Sequence, residues 1–207
     1  LCIGNFLPDL SDDEDDEFDD DDDDDNVISN SFNFKKIKKN SLPNVSPCIN
    51  TVCNKAPAPQ LQHLSLINCS VSKEDVTLIS ALTGRNGTLS SLEIKTCKFT
   101  DGDALDLLVR MPKNAVKFLA IEEAKLNDNL CKLLINELAN SDNVEMLNLS
   151  YNQITKKSAK VIAEYLGTTG TLKELNLCNN LLEEGVVEMC EAIQLSMTLT
   201  ELNLSCN

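Results

Sequence analysis

Side chains that could perform acid–base or nucleophilic catalysis are scarce in this chain of 207 residues. His63 is the only histidine, so the chain has almost none of the histidine that a catalytic Cys–His or Ser–His pair or a histidine-based zinc site requires. Neither G-x-x-x-x-G-K-[ST] nor G-x-G-x-x-G occurs, so no loop is indicated that would hold a nucleotide phosphate. The sequence therefore predicts a protein that is not an enzyme and that holds no cofactor and no metal.

The nine cysteines form no C-x-x-C pair, and their number is odd. Cys178 and Cys206 are expected to face outward, without a nearby basic group that would lower the pKa of either thiol. Reduced thiols favour an intracellular protein, in the cytoplasm more than in the nucleus. Four other cysteines are expected to be small buried fillers: Cys69, Cys97, Cys131 and Cys190.

The side chains best suited to binding another protein are apolar residues close to carboxylates. Phe118 and Met146 occupy the same position in two consecutive copies of a repeated motif, and Tyr151 follows shortly after. Such a cluster has the composition of an interface hot spot, although protein surfaces also carry isolated apolar pairs that bind nothing. The acidic residues expected around the cluster are Glu122, Glu123, Glu145 and Glu174.

A repeated strand motif must position these residues. The pattern L-x-x-L-x-L-x-x-N returns at almost constant spacing, and alternation with period two buries its leucines while the residues between them face solvent. An asparagine at the last position can bond neighbouring turns, a cysteine bonds them more weakly, and Ala124 cannot, so that repeat is expected to be looser. The motif begins at Leu61, Leu89, Val116, Val144, Leu172 and Leu199, and its last position holds Cys69, Cys97, Ala124, Asn152, Asn180 and Asn207.

The second half of each repeat has helical spacing, as in Ala159, Ile162, Ala163 and Leu166 at i, i+3, i+4 and i+7. Units of this length and composition resemble the ribonuclease-inhibitor type of leucine-rich repeat over residues 61–207. The resemblance implies an α/β leucine-rich-repeat solenoid, a curved horseshoe with parallel strands on the concave face and helices on the convex face. We expect residues 60–207 to form this domain, with five repeats and a truncated sixth, as a fragment of a longer protein.

Residues 1–59 are predicted to be a disordered acidic tail followed by a proline-rich linker. Ser11 to Asp25 holds 13 acidic residues interrupted by Phe18, and self-repulsion prevents such a run from condensing. The tail could serve only to keep the protein soluble, or it could dock a basic partner. Lys35 to Lys39 is a small basic cluster that could act as a nuclear-import signal or fold back onto the aspartates.

The charge of −15 disfavours nucleic acid and anionic membranes as ligands and favours a basic protein partner. The predicted function is protein–protein recognition through the concave face, with the acidic tail as a second contact. Two alternatives share this repeat type, namely a GTPase-activating protein of the Ran system and an actin pointed-end capping protein of the tropomodulin sort. The acidic segment here precedes the repeats, unlike in the Ran activators, and the actin-binding helices expected before the repeats are not visible. The sequence indicates no oligomeric state.

Overall fold

The computed structural model describes residues 2–4, 61–84 and 87–207. The greater part of the acidic tail and linker predicted for residues 1–59 therefore lies outside the described residues. Within the described residues the helices are α1 (Lys73–Thr83), α2 (Ala104–Arg110), α3 (Asp128–Ser141), α4 (Lys156–Thr168) and α5 (Gly185–Ile193). The strands are β1 (Cys2–Gly4), β2 (His63–Ile67), β3 (Ser70–Val71), β4 (Ser91–Lys95), β5 (Lys98–Phe99), β6 (Phe118–Glu122), β7 (Met146–Asn148), β8 (Glu174–Asn176) and β9 (Glu201–Asn203).

A parallel sheet forms because the same strand motif recurs at almost constant spacing. Its strand order is β1-β2-β4-β6-β7-β8-β9, so motif strands that follow one another in the sequence lie side by side. Leu119 pairs with Leu147 and Leu147 with Leu175, so the motif leucines stand in register across the sheet. A leucine-rich-repeat fold of mixed α/β type, with a parallel sheet, is thus confirmed for the described residues. The short strands β3 and β5 form a second parallel pair.

The helices bury the faces that their spacing predicts. In α3 the residues Cys131, Leu134, Ile135 and Leu138 are at most 2% exposed, and they join the strand leucines in one continuous core. Side chains cap the starts of α1, α3 and α4, and in α1 the Ser72 hydroxyl accepts from the Asp75 amide at 3.2 Å in a capping box. None of the described helices is long and apolar enough to cross a bilayer.

Asparagine side chains tie successive turns together after β7, β8 and β9. The Nδ2 group of Asn152 donates to the Ile121 carbonyl at 2.7 Å, one repeat earlier. Its Oδ1 accepts from the amides of Ala124 at 3.1 Å and Leu126 at 3.0 Å, which belong to the repeat whose own turn position holds alanine. Asn180 and Asn207 accept from the preceding repeat in the same way, through the amides of Ile154 at 3.1 Å and Leu182 at 3.2 Å, so each asparagine serves the turn before its own.

The residue before each of these turn positions has a left-handed backbone, although these residues are of different types. This conformation costs an L-residue roughly 1–2 kcal/mol, so the hydrogen bonds of the neighbouring turn must maintain it. The six residues are Asn68, Thr96, Glu123, Tyr151, Asn179 and Cys206, with φ between 51° and 58°.

Two sequence predictions about burial are wrong. Cys190 is exposed rather than buried, because α5 buries Gly185, Met189 and Ala192, a face rotated away from the predicted one. Some residues between the strand leucines are covered although they were expected to face solvent. Ala120, for example, lies in register between Glu93 and Asn148, whose longer side chains flank a methyl group on strands about 4.8 Å apart. The covered residues are Ser65, Ala120 and Ser150.

Strand β1 lies inside the segment that the sequence predicts to be disordered. It pairs in parallel with β2, with Ile3 opposite Leu66, and so adds a strand at that edge of the sheet. Residues 1–5, Leu-Cys-Ile-Gly-Asn, resemble residues 64–68, Leu-Ser-Leu-Ile-Asn, in having apolar residues at the first and third positions and asparagine at the fifth. The strand part of the repeated motif therefore has a counterpart in β1.

Lys113, just after α2, is a buried lysine with only 1% of its surface exposed. The sequence pattern does not predict this burial. The Lys113 Nζ donates to the carbonyl oxygens of Met111 at 2.7 Å, Val109 at 2.8 Å and Leu108 at 3.3 Å. Burial lowers the pKa of Lys113 to about 7, although the charge of Glu137 acts to raise it. The ammonium group thus satisfies carbonyls that the end of a helix leaves without partners.

Candidate protein-binding face

The candidate site lies on the strand face, which we define as the side-chain surface of β4, β6, β7, β8 and β9 that points away from the helices. Parallel register places Phe118 beside Met146, Met146 beside Glu174, and Glu174 beside Glu201. These four residues, one from each of four successive strands, form a column across the sheet. Two apolar side chains are thereby followed by two carboxylates.

A depression of about 160 Å³ joins this column to a neighbouring column of asparagines. Phe118, Met146 and Glu174, which the sequence predicts as binding residues, all line it. Glu201 lines it as well, although the sequence reasoning counted it only as an outward residue. The signal that could have singled it out is its motif position, which is the one that Phe118 and Met146 occupy in their own repeats. The asparagines in the lining are Asn148, Asn176 and Asn203.

Local hydrogen bonds orient these three amides. In Asn176 the Oδ1 atom accepts from the Cys178 amide at 3.0 Å, and in Asn203 it accepts from the Ser205 amide at 3.0 Å. Asn148 is held in the same way by Ser150 and also donates through Nδ2 to Glu122 at 3.2 Å. Because each Oδ1 is already engaged, the asparagine column offers N–H donors to a ligand.

Glu145 is neutralised by lysines from both adjacent repeats. The Nζ of Lys173 lies 2.6 Å and that of Lys117 lies 3.0 Å from its carboxylate oxygens. The hydrogen bond from Lys173, and then that from Lys117, lower the pKa of the Glu145 carboxyl below its ordinary value. Glu145 was predicted to add negative charge around the apolar pair, and here that charge is compensated.

Two further predicted glutamates are also engaged. A carboxylate oxygen of Glu122 lies 3.7 Å from Lys95 Nζ, and Glu123 accepts a hydrogen bond from the Thr96 hydroxyl at 3.0 Å. Among the described residues, by contrast, neither Glu174 nor Glu201 has an ion-pair partner. Within the column, therefore, Glu174 and Glu201 at its far end carry negative charge that none of the described lysines neutralises.

Tyr151 stands apart from the depression. It is 52% exposed, has a left-handed backbone, and its amide donates to the Cys178 carbonyl at 2.9 Å. The structure thus brings together three of the seven predicted residues, Phe118, Met146 and Glu174, around one concavity. It does not place Tyr151, Glu122, Glu123 or Glu145 in that lining.

The two cysteines expected to face outward occupy different repeat positions. Cys178 is partly buried and accepts a hydrogen bond from the Ser205 hydroxyl at 3.1 Å, whereas Cys206 is exposed at the left-handed position. Cys131 is buried as predicted, and burial raises the pKa of its thiol to about 12. These positions give the described cysteines no shared arrangement on the strand face.

Comparison with known proteins gives leucine-rich-repeat relatives. Human NACHT, LRR and PYD domains-containing protein 13 is 31% identical over 139 residues, which make up 66% of this chain and 13% of that protein. The mouse NACHT, LRR and PYD domains-containing protein 4C is 27% identical over 167 residues, 73% of this chain and 17% of that protein. The chain is a leucine-rich-repeat protein. No protein-family model matches its sequence.

The leucine-rich-repeat protein described here spans only 13% and 17% of the lengths of these two relatives. Among solved structures, leiomodin-1 actin-binding site 2 superposes with a TM-score of 0.53 and 18% identity. The superposition covers 63% of this chain and 76% of the leiomodin chain. At this identity the likeness shows the fold alone.

Proposed function

We propose that this leucine-rich-repeat protein is a non-catalytic interaction module that binds another protein through its strand face. The observation that carries the proposal is the depression in which Phe118 and Met146 meet Glu174 and a row of amide donors. Partly exposed apolar side chains beside fixed polar groups are the composition of a recognition site. The leucine-rich-repeat relatives support the same class of function.

We further propose that the repeats form a solenoid with the strand face on its concave side. Parallel strands stack about 4.8 Å apart whereas packed helices need about 8–10 Å, so a stack of strand–helix units must bend toward its strands. Repeat proteins use such surfaces for binding. A concave strand face would curve around a partner at the depression, whereas a flat face would contact it from one side.

The partner that we propose is a basic protein. The chain carries a net charge of −15, which steers cations toward it and repels nucleic acid. We propose that residues 60–207 form the repeat domain and that residues 1–59 are a disordered acidic tail and linker, which adds a second contact. Two linked contacts raise the overall affinity without any new interaction at either one. The free thiols of the described residues support an intracellular and cytoplasmic protein.

The test begins with proximity labelling in cells to identify partners, followed by pull-down with purified chain. Replacing both Phe118→Ala and Met146→Ala is expected to lower affinity for the true partner by about 30-fold or more, as for a hot-spot residue worth about 2 kcal/mol. The melting temperature should hardly change, because both side chains are only partly buried. A matched control replaces two exposed apolar residues away from the strands, Val187→Ala and Leu195→Ala. Equal recovery of the partner by both double mutants would refute the site.

A second candidate function is actin capping of the tropomodulin sort. The observation that favours it is the superposition on leiomodin-1, whose matched part is described as an actin-binding site. Co-sedimentation with filamentous actin and pointed-end depolymerisation assays test it directly. Slower pointed-end depolymerisation that depends on Phe118 and Met146 would identify actin as the partner. No effect on filaments would eliminate this candidate.

A further inference from the structure

The charges on the strand face are unevenly compensated. Glu145 lies between two lysines, and Glu122 has Lys95 beside it, whereas Glu174 and Glu201 have no ion-pair partner among the described residues. The two uncompensated carboxylates are direct neighbours in register, on β8 and β9. Two neighbouring carboxylates make the local electrostatic potential more negative, and a cation placed between them would offset their mutual repulsion.

The apolar pair and the carboxylate pair have a defined separation. Register places them on four consecutive strands, with Phe118 and Met146 on the first two and Glu174 and Glu201 on the last two. Adjacent strands lie about 4.8 Å apart, so the centres of the two pairs are separated by two strand spacings, roughly 10 Å. The depression connects them without an intervening helix or loop.

We propose that the strand face binds a protein segment that presents one apolar and one basic side chain separated by the same two strand spacings. This inference rests on the proposed function and specifies its partner. The segment crosses the strands, with its apolar side chain on Phe118 and Met146 and its cation between Glu174 and Glu201. An extended segment in the polyproline II conformation, which rises about 3.1 Å per residue with three residues per turn, meets the spacing with positions i and i+3 on one side. A helical segment, which rises about 1.5 Å per residue, meets it with i and i+7.

Charge complementarity selects this occupant over others. A second copy of this chain, with net charge −15, and its own acidic run are repelled by the uncompensated carboxylates. Arginine suits the site better than lysine because its planar guanidinium bonds two carboxylates at once. The Nδ2 donors of Asn176 and Asn203 lie beside the cation position, where they can bond carbonyl oxygens of an extended segment.

The probe for this proposal is a displayed library of random peptides selected against the immobilised full chain. Enriched peptides are expected to carry an apolar residue and an arginine or lysine at i and i+3, or at i and i+7 if helical. One enriched peptide is then synthesised and titrated against variants. Glu174→Gln with Glu201→Gln should weaken it roughly tenfold, and raising the salt concentration should weaken its binding to the wild-type chain. The control Glu188→Gln with Glu191→Gln changes the net charge equally on exposed positions of α5 and should leave affinity within twofold.

Different failures separate this inference from the proposed function. Peptides that need Phe118 and Met146 but bind the Glu174 and Glu201 variant normally would overturn the inference while supporting the strand face as a binding site. Peptides that are indifferent to all four residues would overturn both. Failure to enrich the paired apolar and basic pattern would also overturn the inference, while the pull-down of cellular partners judges the proposed function separately.

Discussion

Replacing Asn152 with alanine should destabilise the fold more than the same change at Asn180, one repeat later in the same position. Both side chains are almost fully buried, at 7% and 5% exposure, and both donate to three carbonyl oxygens. They differ in what they accept. Asn152 accepts from two backbone amides, those of Ala124 and Leu126, whereas Asn180 accepts from that of Ile154.

The magnitude follows from the amides left without acceptors. A buried N–H that loses its partner costs about 1–3 kcal/mol, so Asn152→Ala should cost about 4 kcal/mol and Asn180→Ala about 2 kcal/mol. The carbonyls add less, because the Leu149 oxygen keeps its bond from Asn180 and the Ser150 oxygen keeps its bond from the Glu123 amide. The expected difference between the two variants is therefore the cost of one unpaired buried amide.

Urea unfolding of the full chain, followed by far-ultraviolet circular dichroism, measures both variants. The two substitutions remove the same atoms from the same repeat position, so each serves as the control for the other. If Asn152→Ala costs no more than Asn180→Ala, the hydrogen bond from the Ala124 amide to Asn152 does not contribute to stability as proposed.

Two further predictions concern positions that sequence reasoning did not single out. Gly185→Ala should lower the free energy of unfolding by about 1–3 kcal/mol, because its added Cβ would lie 2.7 Å from the Ala159 Cβ. Gly102→Ala, whose added Cβ would have nothing within 4 Å, should change the free energy of unfolding little. Lys113 has a folded pKa of about 7, below its ordinary 10.5, so the unfolded chain binds more protons between those values and stability should rise with pH. Relative to Lys113→Met, the free energy of unfolding of the wild-type chain should rise by about 3–4 kcal/mol from about pH 7 to about pH 10. Urea unfolding at several pH values measures this, and an equal pH dependence in the two proteins would contradict it.

Much of the fold could be predicted because it depends on residue type at regular intervals. The strand leucines, the buried face of α3 and the asparagine turns all follow from apolar or amide side chains at repeat positions. The left-handed residues could not be predicted, because Thr96, Glu123 and Tyr151 share a conformation but no chemical character. Cys190 was misplaced because a rotation of α5 by about one residue position, roughly 100°, moves this side chain out of the buried face while Met189 stays in it.

The candidate site was predictable in part. Phe118 and Met146 could be paired from the sequence because the repeat length brings equivalent positions together. The glutamates could not be ranked, because compensation of Glu145 depends on lysines one repeat away on each side. The register of the sheet places Glu174 beside Glu201, and the ion-pair distances show that neither has such a partner among the described residues.

The sequence alone determined that leucines or similar apolar residues would be buried at three motif positions in every repeat and that parallel strands would result, because alternation leaves one face apolar. It also determined that the chain would carry a large negative charge. The tertiary structure decided which of those charges meet a lysine. Strand stacking brings residues from different repeats to within hydrogen-bonding distance, and the spacing of the motif does not record which side chains then touch.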